Sequence, residues 1–118
     1  MLEFRKINGK KTKTFYDSRP IIRVSKGNGC YFIVSKLIVK MLNVNPDKHG
    51  LMFGLKDKRL TVKVEMKASD NYHLGKGDTS TFRFKSRELY DFITEFYKIE
   101  NGKDFIFELQ QDFTFELL

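Results

Sequence analysis

The sequence predicts a small, β-rich α+β domain made of two β-hairpin/short-helix/β-hairpin repeats. Twelve Phe and five Tyr in 118 residues, against two Pro and no Trp, favour strands. Apolar residues alternate along most of the chain, but they fall at helical spacing in two stretches. Each of these stretches begins at a serine that follows a strand-like run, first at Ser35 and again at Ser86. This order of elements, occurring twice, indicates two similar halves.

In the first half, the apolar pattern places each element in turn. Residues 1–19 are basic and lack periodicity, which predicts a basic arm or a weak edge hairpin. Residues 20–35 form a hairpin around "GNG", since Asn28 and Gly29 tolerate positive φ. Ser35 then starts a short helix by accepting a hydrogen bond from a first-turn amide, and "NPDKHG" ends it. "LMFGLK" and "RLTVKVEM" make a second hairpin around "DK".

The second half repeats this order from residue 71. "YHLGK" and "TFRFKS" are strands around "GDTS", "SRELYDFITEFY" is a helix started by Ser86, and "FIFEL" with "FTFEL" is a closing hairpin around "QQD". Lys26 falls on Lys76 at a spacing of 50, Tyr31 on Phe82 at 51, and the last strands align at 53. Two unrelated stretches could share this order, but the nearly constant spacing favours internal duplication.

The predicted repeats are residues 20–70 and 71–118. One half alone has too few residues for a stable core, so the two halves should pack on each other as one globular domain. We expect them to be related by a pseudo-twofold axis.

Charge is distributed unevenly along the chain. The net charge is +7. Residues 1–19 carry six basic and two acidic side chains, residues 20–70 ten and four, and residues 71–118 six and nine. This basic leading part favours a polyanionic partner, although an unevenly charged solvated surface would look the same. The lone Cys30 fits a buried thiol, and no signal peptide or membrane span is evident, so we expect a cytoplasmic protein.

The stretch "IIRVSKGNGCYFIVSKLIVKMLNVNPDKHGLMFGLKDKRLTVKVE" resembles the AbrB and SpoVT family of swapped-hairpin transition regulators. The counterparts of the family's elements are "VSKGNG", "YFIVS", "KLIVKMLNV", "NPDKHG" and "LMFGLKDKRLTVKV". The resemblance covers residues 21–65 well and residues 72–117 loosely. Two copies in one chain are similar to the MraZ arrangement, in which tandem units build an intrachain version of the dimeric barrel.

The resemblance implies a bacterial or phage DNA-binding protein that regulates transcription. Two departures from the family pattern concern its DNA contacts and its helix start. The family has an arginine just after the turn glycine, where this chain has Cys30, and Ile-Pro where the helix begins, where this chain has Val34 and Ser35. The acidic helix of the second copy would repel phosphates, so we expect that copy to serve mainly in packing.

The candidate nucleic-acid contacts are basic residues of the first half, since Lys and Arg neutralise phosphates. Arg23 and Lys26 lie on the first hairpin and are the residues expected to reach toward bases. Lys36 and Lys40 lie one turn apart on the helix. The arm would add further cations: Arg5, Lys6, Lys10, Lys11 and Lys13. Solvated surface charges are the alternative interpretation of all of them.

Other chemistry has little support in the sequence. "LGKGDTS" lacks the glycine spacing of a phosphate loop and fits a turn. His49 and His73 are isolated from any second metal-ligand pair. No catalytic constellation is evident, so we expect neither an enzyme nor a cofactor.

Three functions therefore stay open, with DNA as the expected partner. The first is a regulator that docks its basic face on duplex DNA. The second is a single-stranded DNA or RNA binder like the Whirly proteins, using exposed aromatic residues such as Tyr31 or Tyr72. The third is an interaction or assembly module of phage or mobile-element type, whose acidic second half binds a basic protein. A homodimer is compatible with each.

Overall fold

Strands dominate the computed structural model, which describes residues 18–77 and 81–118, apart from the side chain of Asn28. In these ranges the chain has three helices, α1 (Gly27–Cys30), α2 (Lys36–Leu42) and α3 (Arg87–Tyr97). Its strands are β1 (Ile21–Ser25), β2 (Tyr31–Ser35), β3 (His49–Lys56), β4 (Arg59–Met66), β5 (Gly75–Lys76), β6 (Thr81–Lys85), β7 (Phe105–Leu109) and β8 (Phe115–Leu117). The predicted β-rich α+β class is confirmed.

The first hairpin forms as predicted, but its connection is not a two-residue turn. Strands β1 and β2 pair antiparallel, and the single helical turn α1 joins them. Positive φ falls on Gly29 at 105° and on Cys30 at 59°. The single turn α1 therefore ends in two residues with positive φ. Cys30 is buried, as expected.

Both serines stand at the helix N-caps, but only Ser86 caps its helix with its side chain. Its Oγ accepts a hydrogen bond from Leu89 N at 2.9 Å. The prediction for Ser35 is wrong: Ser35 Oγ donates to the Arg19 carbonyl at 2.9 Å and accepts from Ile21 N at 3.2 Å. Because Ser35 is also the last residue of β2, its hydroxyl faces the chain entering β1 instead of the first turn of α2.

Residues with positive φ end helices α2 and α3 and form the turn of the second hairpin. Helices α2 and α3 end at Asn43 and Lys98, both left-handed. Asp57 and Lys58, between β3 and β4, have φ of 51° and 64°, which suits the turn that matches hairpin twist. None of the described helices is both long enough and apolar enough to cross a bilayer.

The strands form a closed ring. Six of them make one sheet in the order β5-β6-β2-β1-β7-β8, and β3 and β4 make a separate ribbon. Two isolated bridges join ribbon and sheet, Leu51 to Tyr72 before β5 and Thr61 to Thr114 before β8. Leu51 and Tyr72 exchange backbone hydrogen bonds of 2.8 and 2.9 Å.

The order of strands in this ring has twofold character. Exchanging β1 with β5, β2 with β6, β3 with β7 and β4 with β8 leaves the cyclic order unchanged. Thr61 and Thr114, which bridge across β4 and β8, are 53 residues apart, the spacing found in the sequence for these strands. The topology is therefore what two packed hairpin/helix/hairpin repeats would produce.

One detail of the predicted alignment is off by a residue. It placed Tyr31 on Phe82, but Phe32 and Val34 lie opposite Phe84 and Phe82 and share the inner face with them. Tyr31 belongs to the other face. Strand β6 ends at Lys85, just before the N-cap Ser86, whereas β2 includes its own N-cap, Ser35. This difference of one residue shifts the alignment of the two strands by one position.

The core lies inside the ring, where aromatic rings from both halves meet. Phe32 and Phe84 stack at 4.8 Å between ring centroids. Phe53 of the ribbon is tilted against Phe84 and Phe115 at 6.0 and 6.1 Å. Helices α2 and α3 add four side chains to this hydrophobic core: Ile38, Leu89, Tyr90 and Ile93.

An ion pair holds the chain that enters β1. Arg19 donates to both carboxylate oxygens of Glu108 on β7, at 3.0 and 2.9 Å. The guanidinium lowers the pKa of the Glu108 carboxyl below its ordinary value of 4.5, mainly through these hydrogen bonds.

Ser86→Ala should lower the free energy of unfolding by about 1 kcal/mol, because the Leu89 amide loses its only cap acceptor. Ser86→Asp keeps an acceptor at the N-cap and should stay close to the parent. Urea unfolding followed by circular dichroism measures both. Equal losses in the two variants would show that the cap contributes nothing.

Glu108→Gln should weaken the dependence of stability on acid pH. The folded pKa of Glu108 lies below its unfolded value, so its contribution is present above about pH 4.5 and is lost as pH falls through the folded pKa. Urea midpoints at neutral and acid pH should therefore differ less in Glu108→Gln than in the parent. The exposed Glu100→Gln is the control, and a parent-like pH dependence in Glu108→Gln would contradict the assignment.

Candidate nucleic-acid interface

The outer face of the six-stranded sheet carries a small group of cations around a tyrosine. Residues that alternate with the core positions point to this face, and across β2 and β6 they pair as Tyr31 with Lys85 and Ile33 with Arg83. Both basic side chains are exposed, whereas Tyr31 and Ile33 are partly buried. Two cations from the second half thus flank an aromatic ring from the first half.

Tyr31 lies within cation–π distance of both charges. The Arg83 Cζ atom is 5.2 Å from the centroid of the Tyr31 ring, and Lys85 Nζ is 5.5 Å from it. Contacts of this length are within the usual range of about 6 Å. We call Tyr31, Arg83 and Lys85 the Tyr31 platform.

The two cations of the platform have no carboxylate partner within the described parts of the chain. Ion pairs elsewhere take up other basic side chains, such as Arg87 with Asp91 and Lys63 with Glu65. Arg83 and Lys85 are in none of them. Their charge is therefore available to an anion from solution.

Gly29 makes room for Lys85. A Cβ at Gly29 would lie 3.0 Å from Lys85 Cε, and the backbone there has the positive φ that side chains disfavour. The turn between β1 and β2 thus lets the lysine stem lie across it toward Tyr31. This is a reason for glycine at position 29 beyond the turn itself.

The platform opens onto a cleft of about 590 Å³ at the edge of the sheet, here called the edge cleft. Strand β5 pairs only with Phe82 and Arg83, so the end of β6 lies beyond it. Tyr72 lines the cleft on the far side and stacks on Phe84 at 4.9 Å. Within the described residues, no Asp or Glu lines the edge cleft.

The wall that carries Tyr72 is held by the side chain of Asn71. Gly50 on β3 lets this segment approach, because a Cβ there would overlap the side chain of Asn71. The Asn71 amide donates to Met66 O at 2.9 Å, and its Oδ1 accepts from Ala68 N at 3.2 Å. These bonds close the turn before β5 and fix one side of the edge cleft.

Arg23 and Lys26, predicted to reach toward bases, share an acidic neighbour. Arg23 is on the outer face, and its Nη2 is 3.4 Å from Asp104 Oδ2. The backbone N–H of Lys26 donates to Asp104 Oδ1 at 3.3 Å, and Lys26 Nζ lies 5.6 Å from the Tyr90 ring centroid. Asp104 therefore offsets part of the charge on this hairpin.

The other predicted contacts fall in different places. Lys36 lines a second cleft, of about 430 Å³, together with Lys67 and Lys76. Lys40 is exposed on α2 and does not line that cleft. The arm residues lie outside the described residues: Arg5, Lys6, Lys10, Lys11 and Lys13.

Sequence reasoning missed Arg83 and Lys85, although a signal for them was present. In "TFRFK" they alternate with Phe82 and Phe84, so they had to face away from the core. The acidic residues of α3, which are exposed at Glu88, Asp91 and Glu95, offset these cations when charge is summed along the sequence. Only the pairing of β6 with β2 places Tyr31 between these cations.

No cluster of three or more His, Cys, Asp or Glu that could hold a metal ion occurs in the described ranges. His49 Nδ1 accepts from Asn45 N at 2.9 Å, and His73 Nε2 hydrogen-bonds with Ala68 O at 2.8 Å. Both histidines thus have local backbone partners.

Comparison with protein-family models, curated proteins and solved structures finds no match to this chain. Its function must be inferred from the site itself.

Proposed function

We propose that this protein binds single-stranded nucleic acid on the outer face of its sheet. The observation that carries the proposal is the Tyr31 platform, a partly exposed ring beside two cations that have no carboxylate partner among residues 18–77 and 81–118. Proteins that bind single strands without strong sequence preference combine these two features, since aromatic faces stack on bases while basic side chains follow the backbone.

The energies allow a base to displace a cation from the Tyr31 ring. An exposed cation–π contact contributes about 0.5–1 kcal/mol. Stacking of a base on an aromatic side chain contributes about 1–3 kcal/mol, and the released cation gains a phosphate. In the bound state, Arg83 and Lys85 would therefore move from the ring to the backbone of the strand.

A single strand suits this site better than a duplex does. The bases of a duplex are stacked on each other and present only their edges in the grooves. Tyr31 needs an exposed base face, and Tyr72 in the edge cleft would offer a second aromatic contact. RNA and DNA share this chemistry, so the proposal covers both.

The duplex regulator implied by the AbrB-type resemblance stays a prediction, as does a protein partner for the acidic half. For duplex binding, the cations of the first hairpin would have to engage phosphates while Asp104 lies beside them. The Tyr31 platform has no such competitor among the described residues, which favours the single-strand proposal.

Tyr31→Ala should weaken binding of a fluorescein-labelled oligothymidylate by roughly 5- to 150-fold, the equivalent of one lost stack. Tyr31→Phe keeps the ring and should bind nearly as well as the parent. Fluorescence anisotropy measures each affinity, with oligouridylate and a duplex as further ligands. No binding of either single strand at low salt, or tighter binding of the duplex, would refute the proposal.

Replacing both platform cations should change the salt dependence. In Arg83→Gln/Lys85→Gln, the slope of log K against log salt should fall in magnitude by about 1.4, since each phosphate contact to a single strand contributes about 0.7. Lys103→Gln removes an exposed charge that lines neither cleft, and it should leave the slope nearly unchanged. A slope in the double variant equal to that of the parent would exclude phosphate contacts by these side chains.

A further inference from the structure

Besides the Tyr31 platform, the protein has a second cleft, lined by Lys36, Lys67 and Lys76, with the charge expected of a phosphate-binding site. We call it the lysine cleft. Among the described residues, its lining includes one carboxylate, from Asp47, against three lysines, so these charged side chains sum to a positive charge. None of the three lysines is in an ion pair within the described ranges. Three ammonium groups around one concavity favour an anion.

The lysine cleft adjoins the edge cleft across the shortest strand of the sheet. Lys76 on β5 lines both clefts, and both residues of β5 are exposed. Strand β6 runs between them as well, with Arg83 and Lys85 at the edge cleft and Thr81 and Phe82 at the lysine cleft. A ligand that leaves the first cleft over β5 therefore meets Lys76 and then the second cleft.

We infer that the lysine cleft binds the backbone of the same nucleic-acid strand whose bases stack at the Tyr31 platform. This inference rests on the proposed function and extends it to the length and path of the strand. From Lys85 to Thr81 there are four residue steps, about 13 Å along β6. At the rise of a stacked strand this corresponds to roughly four nucleotides. A short oligonucleotide thus occupies the edge cleft alone, and a longer one reaches both.

The test is a series of oligothymidylates from about 3 to about 15 nucleotides, a range that spans known single-strand site sizes. The parent should gain affinity with length as the strand reaches the lysine cleft. Lys36→Gln/Lys67→Gln should match the parent on the shortest ligands and lose that gain on longer ones. On the longest ligand, the magnitude of its salt slope should fall by about 1.4.

Lys48→Gln/Lys56→Gln is the matched control. It removes two exposed lysines that line neither the lysine cleft nor the edge cleft, and it should follow the parent at every length. The inference is overturned if Lys36→Gln/Lys67→Gln keeps the full gain with length, or if the control pair loses as much. If the parent binds no single strand, the proposed function itself is refuted. Tyr31→Ala should bind more weakly at all lengths, which distinguishes loss of the Tyr31 platform from loss of the lysine cleft.

Discussion

Strands β2 and β6 pair antiparallel with Phe32 opposite Phe84 and Tyr31 opposite Lys85, and the rest of the structure depends on this register. On one face the pairing brings together two rings that stack at 4.8 Å in the core. On the other it sets the cations of β6 beside Tyr31. A shift of one residue would move every side chain to the opposite face, so the core that fixes the register also fixes the site.

The pairing of β2 with β6 lies where the two halves meet. The order of the strands is twofold, but the surroundings of this pairing are not. Strands of the two halves meet at four places around the ring: β2 pairs with β6, β1 pairs with β7, β4 bridges to β8, and β3 bridges to the segment before β5. Strand β7 adds to the main sheet, while its counterpart β3 joins the described part of the sheet through the Leu51–Tyr72 bridge alone. That looser junction leaves the edge of β6 open, and the edge cleft forms there.

Most of the fold could be predicted from the sequence because its signals are local. Alternation marked the strands, helical spacing marked α2 and α3, and "DK" marked the turn of the second hairpin. The cap at Ser35 could not be predicted this way, because the hydroxyl has a nearer pair of backbone partners in Arg19 and Ile21 that only tertiary structure supplies. The alignment of β2 with β6 could not be predicted from the sequence either. Spacings of 50 and 51 fit the apolar pattern equally well, but they assign opposite faces of the strands to the core.

The site was harder to predict, because charge was counted along the chain and not over a surface. The second half is acidic overall, although β6 carries two cations. The first hairpin is basic, although Arg23 lies beside Asp104 of the second half. Charge summed along the sequence therefore does not give the charge of each surface. A polyanion is attracted by charges that share a face and are not offset by a carboxylate, and in the described part of this sheet Arg83 and Lys85 meet both conditions. That they adjoin Tyr31, and that Lys76 continues the positive surface into the lysine cleft, favours an extended strand as the ligand.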